Sequence, residues 1–261
     1  MTATDAILRP LVSADELELF NSIPYALNHE LADDLEQGRR RLDWMWVALR
    51  GERLVGRIAW WSTAGASDLA VVRRGTELRM ALLAETGAHV VAERLRLEWK
   101  PGTPIAAADS GLAFRPFASD DEFLDITTRT LTGTLDAHSR ADLATMTPRE
   151  AAVAQFEDEF AQYASPRAWW RVAIDEGGET VGFVVPARNS YHAIIAYIGV
   201  LPEHRGKGLI DAILAEGTRV LAESGASRIR ASTDVGNVPM AAAFARAGYV
   251  TFERLINMAW E

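Results

Sequence analysis

The chain repeats itself, and the repeat limits its architecture more than any other feature. Arg9-Pro10-Leu11-Val12-Ser13-Ala14-Asp15-Glu16-Leu17 returns as Arg115-Pro116-Phe117-Ala118-Ser119-Asp120-Asp121-Glu122-Phe123. Each copy reads as a short strand ending at Pro, then a Ser cap with acids in the first helical turn, where they face the positive end of the helix dipole. A second pair follows. Val47-Ala48-Leu49-Arg50-Gly51-Glu52-Arg53-Leu54-Val55-Gly56 parallels Val172-Ala173-Ile174-Asp175-Glu176-Gly177-Gly178-Glu179-Thr180-Val181-Gly182. Both are hairpins: an apolar run, a polar turn with Gly, then a strand with Gly inside it. A third, weaker pair sets Arg74-Gly75-Thr76-Glu77-Leu78 and Ala81 to Glu85 against Arg205-Gly206-Lys207-Gly208-Leu209 and Ala212 to Glu216. Three matches in the same order describe a tandem duplication of one α-plus-β unit. The Pro/Gly break Lys100-Pro101-Gly102-Thr103-Pro104 separates the copies, so domains are expected at 1–107 and 111–261.

Composition narrows the partners. The 261 residues carry a net charge of −9 and no cysteine. An acidic surface repels a phosphate backbone, so no nucleic-acid partner is expected. Absence of cysteine removes disulfides, zinc–thiolate sites and a thiol nucleophile, and no metal site is expected. Met1 to Arg9 lacks a basic-then-apolar leader, and no apolar run reaches membrane-span length. The expectation is a cytoplasmic protein without a membrane partner, monomeric or homodimeric.

The second copy reads clearly as elements. Leu112–Phe117, Trp169–Ile174, Thr180–Pro186, Ala193–Val200, Ser227–Thr233 and part of Tyr249–Trp260 are expected strands. Asp120–Thr130, Pro148–Tyr163, Leu209–Ser224 and Pro239–Ala247 are expected helices, with Gly225 and Gly248 as C-terminal stops. This is an α/β (α+β) pattern with a central mixed sheet.

One segment carries chemistry: Ile198-Gly199-Val200-Leu201-Pro202-Glu203-His204-Arg205-Gly206-Lys207-Gly208-Leu209. A buried strand ends, a Gly-rich loop follows, and a helix starts at once. Such a loop turns several backbone N–H groups outward beside a helix N-terminus, and glycines let an anion approach closely. Arg205 and Lys207 add positive charge that reads as mobile. The alternative is a solvated turn with a basic tip. The spacings of a nucleotide-hydrolase phosphate loop and of a dinucleotide fingerprint are both absent.

The segment resembles the coenzyme-binding motif of the GCN5-related N-acetyltransferase (GNAT) superfamily, Arg/Gln-x-x-Gly-x-Gly/Ala after a strand ending in Val-x-Pro. Here it runs Arg205 to Ile210, with Ile210 where the family has a small residue. Asn237-Val238-Pro239-Met240, Phe244 and Gly248-Tyr249 resemble the family's downstream signature, in the form seen in tandem members. The resemblance implies two tandem GNAT folds, each a mixed, mostly antiparallel central sheet flanked by helices. It implies acetyl-CoA, or another acyl-CoA, as co-substrate and a small-molecule amine as acceptor. Ile198, Gly199 and Val200 would bind the pantetheine arm through backbone groups and polarise the thioester. Arg205, Gly206, Lys207, Gly208, Leu209 and Ile210 would hold the pyrophosphate, with Asn237 and Phe244 along the coenzyme arm. Simple core strand remains the alternative for the side chains of 198–200, and helix capping for Asn237.

Acid and base stay open. Many family members place a Tyr where this chain has Phe244. Tyr249 or Ser232 could serve instead, the thiolate could leave unassisted, or the domain could bind without transferring. Tyr197, Asp234, His192 and Tyr191 are the base candidates, beside a water relay. Tyr197, Asp234 and Tyr249 are taken as the catalytic candidates. Trp44, Trp46, Trp60, Trp61, Trp169 and Trp170 read as core or interface aromatics, or as a stacking wall for an acceptor. Arg39-Arg40-Arg41 reads as a solvated helix end. Glu77 stands where the second copy has Gly208, so the first copy is expected not to bind acyl-CoA. Acceptor choice is expected from the Leu131–Tyr163 region.

Overall fold

A computed structural model of the chain describes residues 7–23, 28–60, 69–73, 89–106 and 111–259. The Arg74–Glu77 loop, the Ala81–Glu85 segment and Trp61 lie outside these residues, as does the side chain of Trp60. Packing divides the chain into two units, 1–93 with 254–261, and 94–253.

The first unit is an antiparallel meander. Strand β1 (Ile7–Pro10) pairs with β2 (Met45–Arg50), β2 with β3 (Arg53–Trp60), β3 with β4 (Leu69–Arg73), and β4 with Leu255–Ala259 of the final strand. Two short helices, α1 (Leu17–Asn21) and α2 (Leu31–Glu36), lie between β1 and β2 in sequence. Strand alternation turns Met45 and Val47 inward, onto Leu11, Phe20, Leu31 and Ala59. The Arg39-Arg40 run is not a free basic tip: both Nε atoms stand 2.8 Å from the buried Asp34 carboxylate. A carboxylate out of water needs this pairing, so the arginines are pinned to it.

The second unit has sheet order β5–β10–β9–β8–β7–β6. Its strands are Arg94–Trp99 of β5 (His89–Trp99), β6 (Ala113–Arg115), β7 (Arg171–Ile174), β8 (Thr180–Arg188), β9 (Ala193–Val200) and β10 (Ile229–Asp234); β11 (Val250–Ala259) closes the chain. Its helices are α3 (Asp120–Thr130), α4 (Ala137–Asp142), α5 (Pro148–Asp158), α6 (Leu209–Glu223) and α7 (Val238–Arg246). Of the pairs described within this unit, β9 with β10 is parallel and the others are antiparallel. The expected strands and helices of this copy are present, within a few residues at their ends. Helix α4 has no counterpart in the sequence reading, and α5 stops at Asp158 before a 3-10 turn that delivers Phe160 into the core.

Both faces of this sheet are covered, which is why β8 is buried almost continuously. On one face α6 and α7 pack Ile213, Leu214, Leu221 and Phe244 over Val181, Val184 and Ile195. On the other face Phe123, Phe160 and Trp170 pack over Val172, Phe183 and Val185. Trp170 is therefore core. No helix among the described residues is long and apolar enough to cross a membrane.

The repeat is visible in atomic detail. Arg9 and Arg115 each fork onto the glutamate seven residues on, and each donates from Nη1 to the next proline's carbonyl at 3.0 Å. Glu16 and Glu122 in turn accept from the N–H groups of Val12 (2.8 Å) and Ala118 (2.7 Å). Both hairpins carry a register shift at the same place, between Ala48 and Leu49 and between Ala173 and Ile174. The caps differ. Ser119 Oγ accepts from Glu122 N, whereas Ser13 makes no such bond and leads into a 3-10 turn.

Gly182, foreseen as the glycine inside the second hairpin strand, is required by close approach. A Cβ there would stand 2.5 Å from the Gly199 carbonyl oxygen and 2.8 Å from Ile213 Cδ1. Gly182→Ala is expected to lower stability by about 1–3 kcal/mol through overpacking, read from the urea unfolding midpoint.

Candidate functional site

Three local features meet at the end of β9. The first is a divergence. β9 and β10 pair only at Ile229 with Ala193 and Arg230 with Ile194, and then separate. The cause lies on the other side of β9. Its register with β8 shifts between Val185 and Pro186, so that Ala196 has no partner on β8. Pro186 lacks the N–H that a regular ladder requires, and a bulge is where a sheet tolerates it. Ala196 and Tyr197 consequently turn to the same face. Beyond the bulge, the Leu201 N–H reaches the Val181 carbonyl on the β8 side at 2.9 Å. Alternation then directs the backbone groups of Ile198 and Val200 into the opening towards β10. The Val200 carbonyl is met there by Arg205 Nε at 3.1 Å.

The second feature is the loop. After a 3-10 turn at Pro202–His204, Arg205 to Gly208 are solvent-exposed and α6 starts at Leu209. Gly206 (φ 76°) and Gly208 (φ 77°) are left-handed, a conformation costly for any residue with a Cβ. The N–H of Arg205 goes to Pro202 and that of Asp211 to Gly208. Between them, the N–H groups of Gly206, Lys207, Gly208, Leu209 and Ile210 have no acceptor among the described residues. Five successive donors at the positive end of a 15-residue helix make an anion cradle. Lys207 Nζ is exposed, 3.5 Å from His204 Nδ1. Arg205 differs from the expectation of a mobile charge, because its side chain is hydrogen-bonded to main-chain carbonyls.

The third feature is the set of groups around Tyr197, whose ring stacks on Phe160 at 5.6 Å and meets Phe183 edge-on at 5.1 Å. Burial holds its phenol above the ordinary value, Asp136 and Glu159 add to this, and Arg205 opposes it. Asp234 is buried: its Oδ2 accepts the Ala137 N–H at 2.5 Å and its Oδ1 lies 3.2 Å from Arg94 Nε. Asp136 caps α4 through Ser139 N and also faces Arg94, at 3.7 Å. Asp136, His138 and Asp234 bring one ligand atom each within 4.8 Å, a spacing open to a cation, with the Arg94 guanidinium already paired to both carboxylates. Solvent reaches Glu159, yet the crowding around it pushes its carboxyl up, against the Tyr163 hydroxyl that bonds to it.

The remaining candidates make contacts of their own. Asn237 caps α7, its side chain accepting from Met240 N at 3.4 Å. Phe244 is in the core, edge-on to Tyr249 at 5.1 Å. Tyr249 is buried beneath α6 with its hydroxyl 2.8 Å from Thr218 Oγ1. Thr218 donates to the Leu214 carbonyl, so the Tyr249 proton points to Thr218. Tyr191 and His192 lie in the turn before β9, at the far end of the strand from the loop. Ser232 donates to the Leu95 carbonyl. Sequence reasoning did not single out Asp136, Glu159 or Arg94. The Asp-x-x-Ser cap at Asp136–Ser139 was the one available signal; Glu159 and Arg94 sit in no recognisable pattern.

The sequence pattern of the acetyltransferase (GNAT) family matches residues 137–249, which enclose the diverging strands, the loop and α7. The second unit belongs to the GNAT family. Mycothiol acetyltransferase of Pseudarthrobacter chlorophenolicus is 28% identical over 159 residues, 58% of this chain and 46% of that protein. Its namesake from an Arthrobacter species is 29% identical over 114 residues, 41% of this chain and 34% of that protein. The chain thus spans less than half the length of these curated relatives. Among solved structures, a GCN5-related N-acetyltransferase from Sphaerobacter thermophilus superposes with a TM-score of 0.61 at 15% identity, covering 99% of this chain and 96% of that one. A tandem GNAT protein from the clavulanic acid biosynthesis pathway gives 0.52 at 16% identity, covering 97% of each chain. These likenesses show the GNAT fold.

In the GNAT unit Tyr197 and Tyr249 both keep their protons above the ordinary phenol value of 10.0, chiefly by burial. The unfolded chain releases those protons first, so their contribution to stability is complete below that pH and declines as pH rises beyond it. The unfolding midpoint is expected to fall from about pH 10 upward, and to fall less in Tyr249→Phe. Phenolate absorbance followed alongside denaturation checks this.

Proposed function

We propose that the chain is an acyl-CoA-dependent N-acyltransferase, using acetyl-CoA to acylate a primary amine on a small molecule by direct attack in a ternary complex. The carrying observation is the row of unpaired N–H groups from Gly206 to Ile210 beside a strand that has left its neighbour. A pyrophosphate needs several convergent donors, and an extended pantetheine arm needs free strand edge; the residues present fit both, and the one carboxylate in the first turn of α6, Asp211, is paired to Arg246. Acetyl-CoA would supply the activated acyl carbon and a thiolate leaving group.

In this reading Gly206 to Ile210 hold the pyrophosphate, and the N–H groups of Ile198 and Val200 bind the arm and polarise the thioester oxygen. Tyr197, Asp136 and Glu159 line the acceptor side, where carboxylates favour a cationic amine and can draw off its proton through water. Phe244 and Tyr249 are core, so the thiolate leaves without a tyrosine acid, as its low pKa permits. The N-terminal copy, within 1–107, is a scaffold, and the coenzyme-binding copy lies within 111–261. The protein would act in the cytoplasm as a monomer or homodimer. The core placement of the Tyr249 hydroxyl on Thr218 also favours a second reading, an acyl-CoA-binding protein that transfers nothing.

Calorimetry with acetyl-CoA and thiol release with a panel of amines separate the two readings. Binding with turnover supports the first; tight binding with no turnover on any amine supports the second. Gly208→Glu is expected to weaken acetyl-CoA binding by more than about tenfold, roughly 1.4 kcal/mol, through charge repulsion and a strained backbone. Gly208→Ala, which adds only the strain, should weaken it less. Unchanged affinity in Gly208→Glu would remove the pyrophosphate from this loop.

A further inference from the structure

The first residue of the loop directs its side chain away from it. Arg205 Nε donates to the Val200 carbonyl at 3.1 Å, Nη1 to the carbonyls of Thr132 (2.7 Å) and Gly133 (3.2 Å), and Nη2 to that of Thr130 (2.7 Å). Thr130 is the last residue of α3, so the guanidinium sits on carbonyls that a helix C-terminus leaves without partners, at the negative end of its dipole. A second tie joins the same two stretches, an ion pair between Arg129 at the end of α3 and Glu203 just before the loop. Gly133, left-handed at φ 64°, leaves room here: a Cβ would stand 3.4 Å from Arg205 Nη1.

The carbonyls held by Arg205 begin the connection from α3 to α4. That connection ends at Asp136, which caps α4, faces Arg94 and raises the Tyr197 phenol. One side chain therefore fastens the loop at residues 205–210 to the wall at residues 130–136. A planar fork with five donors suits such a set of carbonyls; a lysine offers three donors at one point.

We propose that Arg205 is a positioning residue that couples the coenzyme loop to the wall of the acceptor side at residues 130–136. This rests on reading residues 205–210 as the coenzyme loop. Two consequences follow. The guanidinium gives its hydrogen bonds to protein carbonyls, so attraction for a pyrophosphate falls to the backbone N–H row and to Lys207. Ordering the loop with coenzyme also orders the wall, because restricting one end of a shared hydrogen-bonded network lowers the entropy cost of fixing the other.

The test compares the full chain with its Arg205→Gln, Arg205→Lys and Lys207→Gln variants. Hydrogen exchange is read first without ligand, at the hydrogen-bonded amides of Leu131, Thr132 and Thr134. Arg205→Gln is expected to speed their exchange by roughly tenfold or more, Arg205→Lys by less, and Lys207→Gln not at all. With acetyl-CoA, residues 206–210 should gain protection in every variant that binds, whereas residues 131–136 should gain it in the natural sequence and not in Arg205→Gln. The salt dependence of acetyl-CoA affinity should flatten in Lys207→Gln and stay unchanged in Arg205→Gln. Unchanged ligand-free exchange at residues 131–134 in both Arg205 variants overturns the proposal. A salt dependence that flattens in Arg205→Gln also overturns it, since the guanidinium would then serve the phosphate. If acetyl-CoA protects nothing in the natural sequence, the coenzyme reading fails, while the ligand-free comparison still decides whether Arg205 fastens the wall.

Discussion

The parting of β9 from β10 is the constraint on which the rest of the second unit depends. A parallel pair inside a covered sheet would ordinarily continue its ladder, because buried backbone groups need partners. Here the ladder stops after Ile194 and Arg230. A proline opposite a bulge supplies the bend, and the backbone groups of Ile198 and Val200 are left facing an opening. The backbone groups proposed for the coenzyme, those of Ile198, Val200 and Gly206 to Ile210, lie along this opening or at its end. The same bend sends Tyr197 to the opposite face, among Phe160 and Phe183, where the charges of Asp136 and Glu159 act on its phenol. In the proposed reading, one irregularity thereby separates a coenzyme side from an acceptor side.

Much of this was legible in the sequence because it is written locally. The duplication shows in the Arg9 and Arg115 segments, which fold into matching clamps. The strand, Gly-rich loop and helix from Ile198 to Glu223 follow from burial, two glycines and helical spacing, with the structure adding that both glycines are left-handed. The Asn237 cap was likewise foreseen as a local reading. Ser13 shows the limit of such signals: the same Ser and first-turn acids that make a capped α-helix at Ser119 lead there into a 3-10 turn.

What stayed hidden depends on contacts between distant segments. Nothing near Arg205 in sequence says that its guanidinium will lie on Thr130, Thr132 and Gly133. Arg94 meets Asp234 and Asp136 across long sequence separations. Glu159 acquires its shifted carboxyl because α5 ends one residue earlier and the chain turns to bury Phe160, which periodicity across Pro148–Tyr163 does not reveal. The side proposed for the acceptor is assembled from such contacts, and so it is the less legible half of the candidate site.

The paired clamps have a kinetic meaning as well. Arg9 with Glu16, and Arg115 with Glu122, close loops of seven residues, and the glutamates reach back to the N–H groups of Val12 and Ala118. Loops of this size close within about 10–100 ns, far faster than the pairing of distant strands. Each half of the chain therefore carries a corner, from extended strand into helical turn, built from contacts close in sequence that can close without any distant strand in place. A duplication that copies such a corner copies a self-contained set of contacts, which can be kept while the loops elsewhere in the second half diverge.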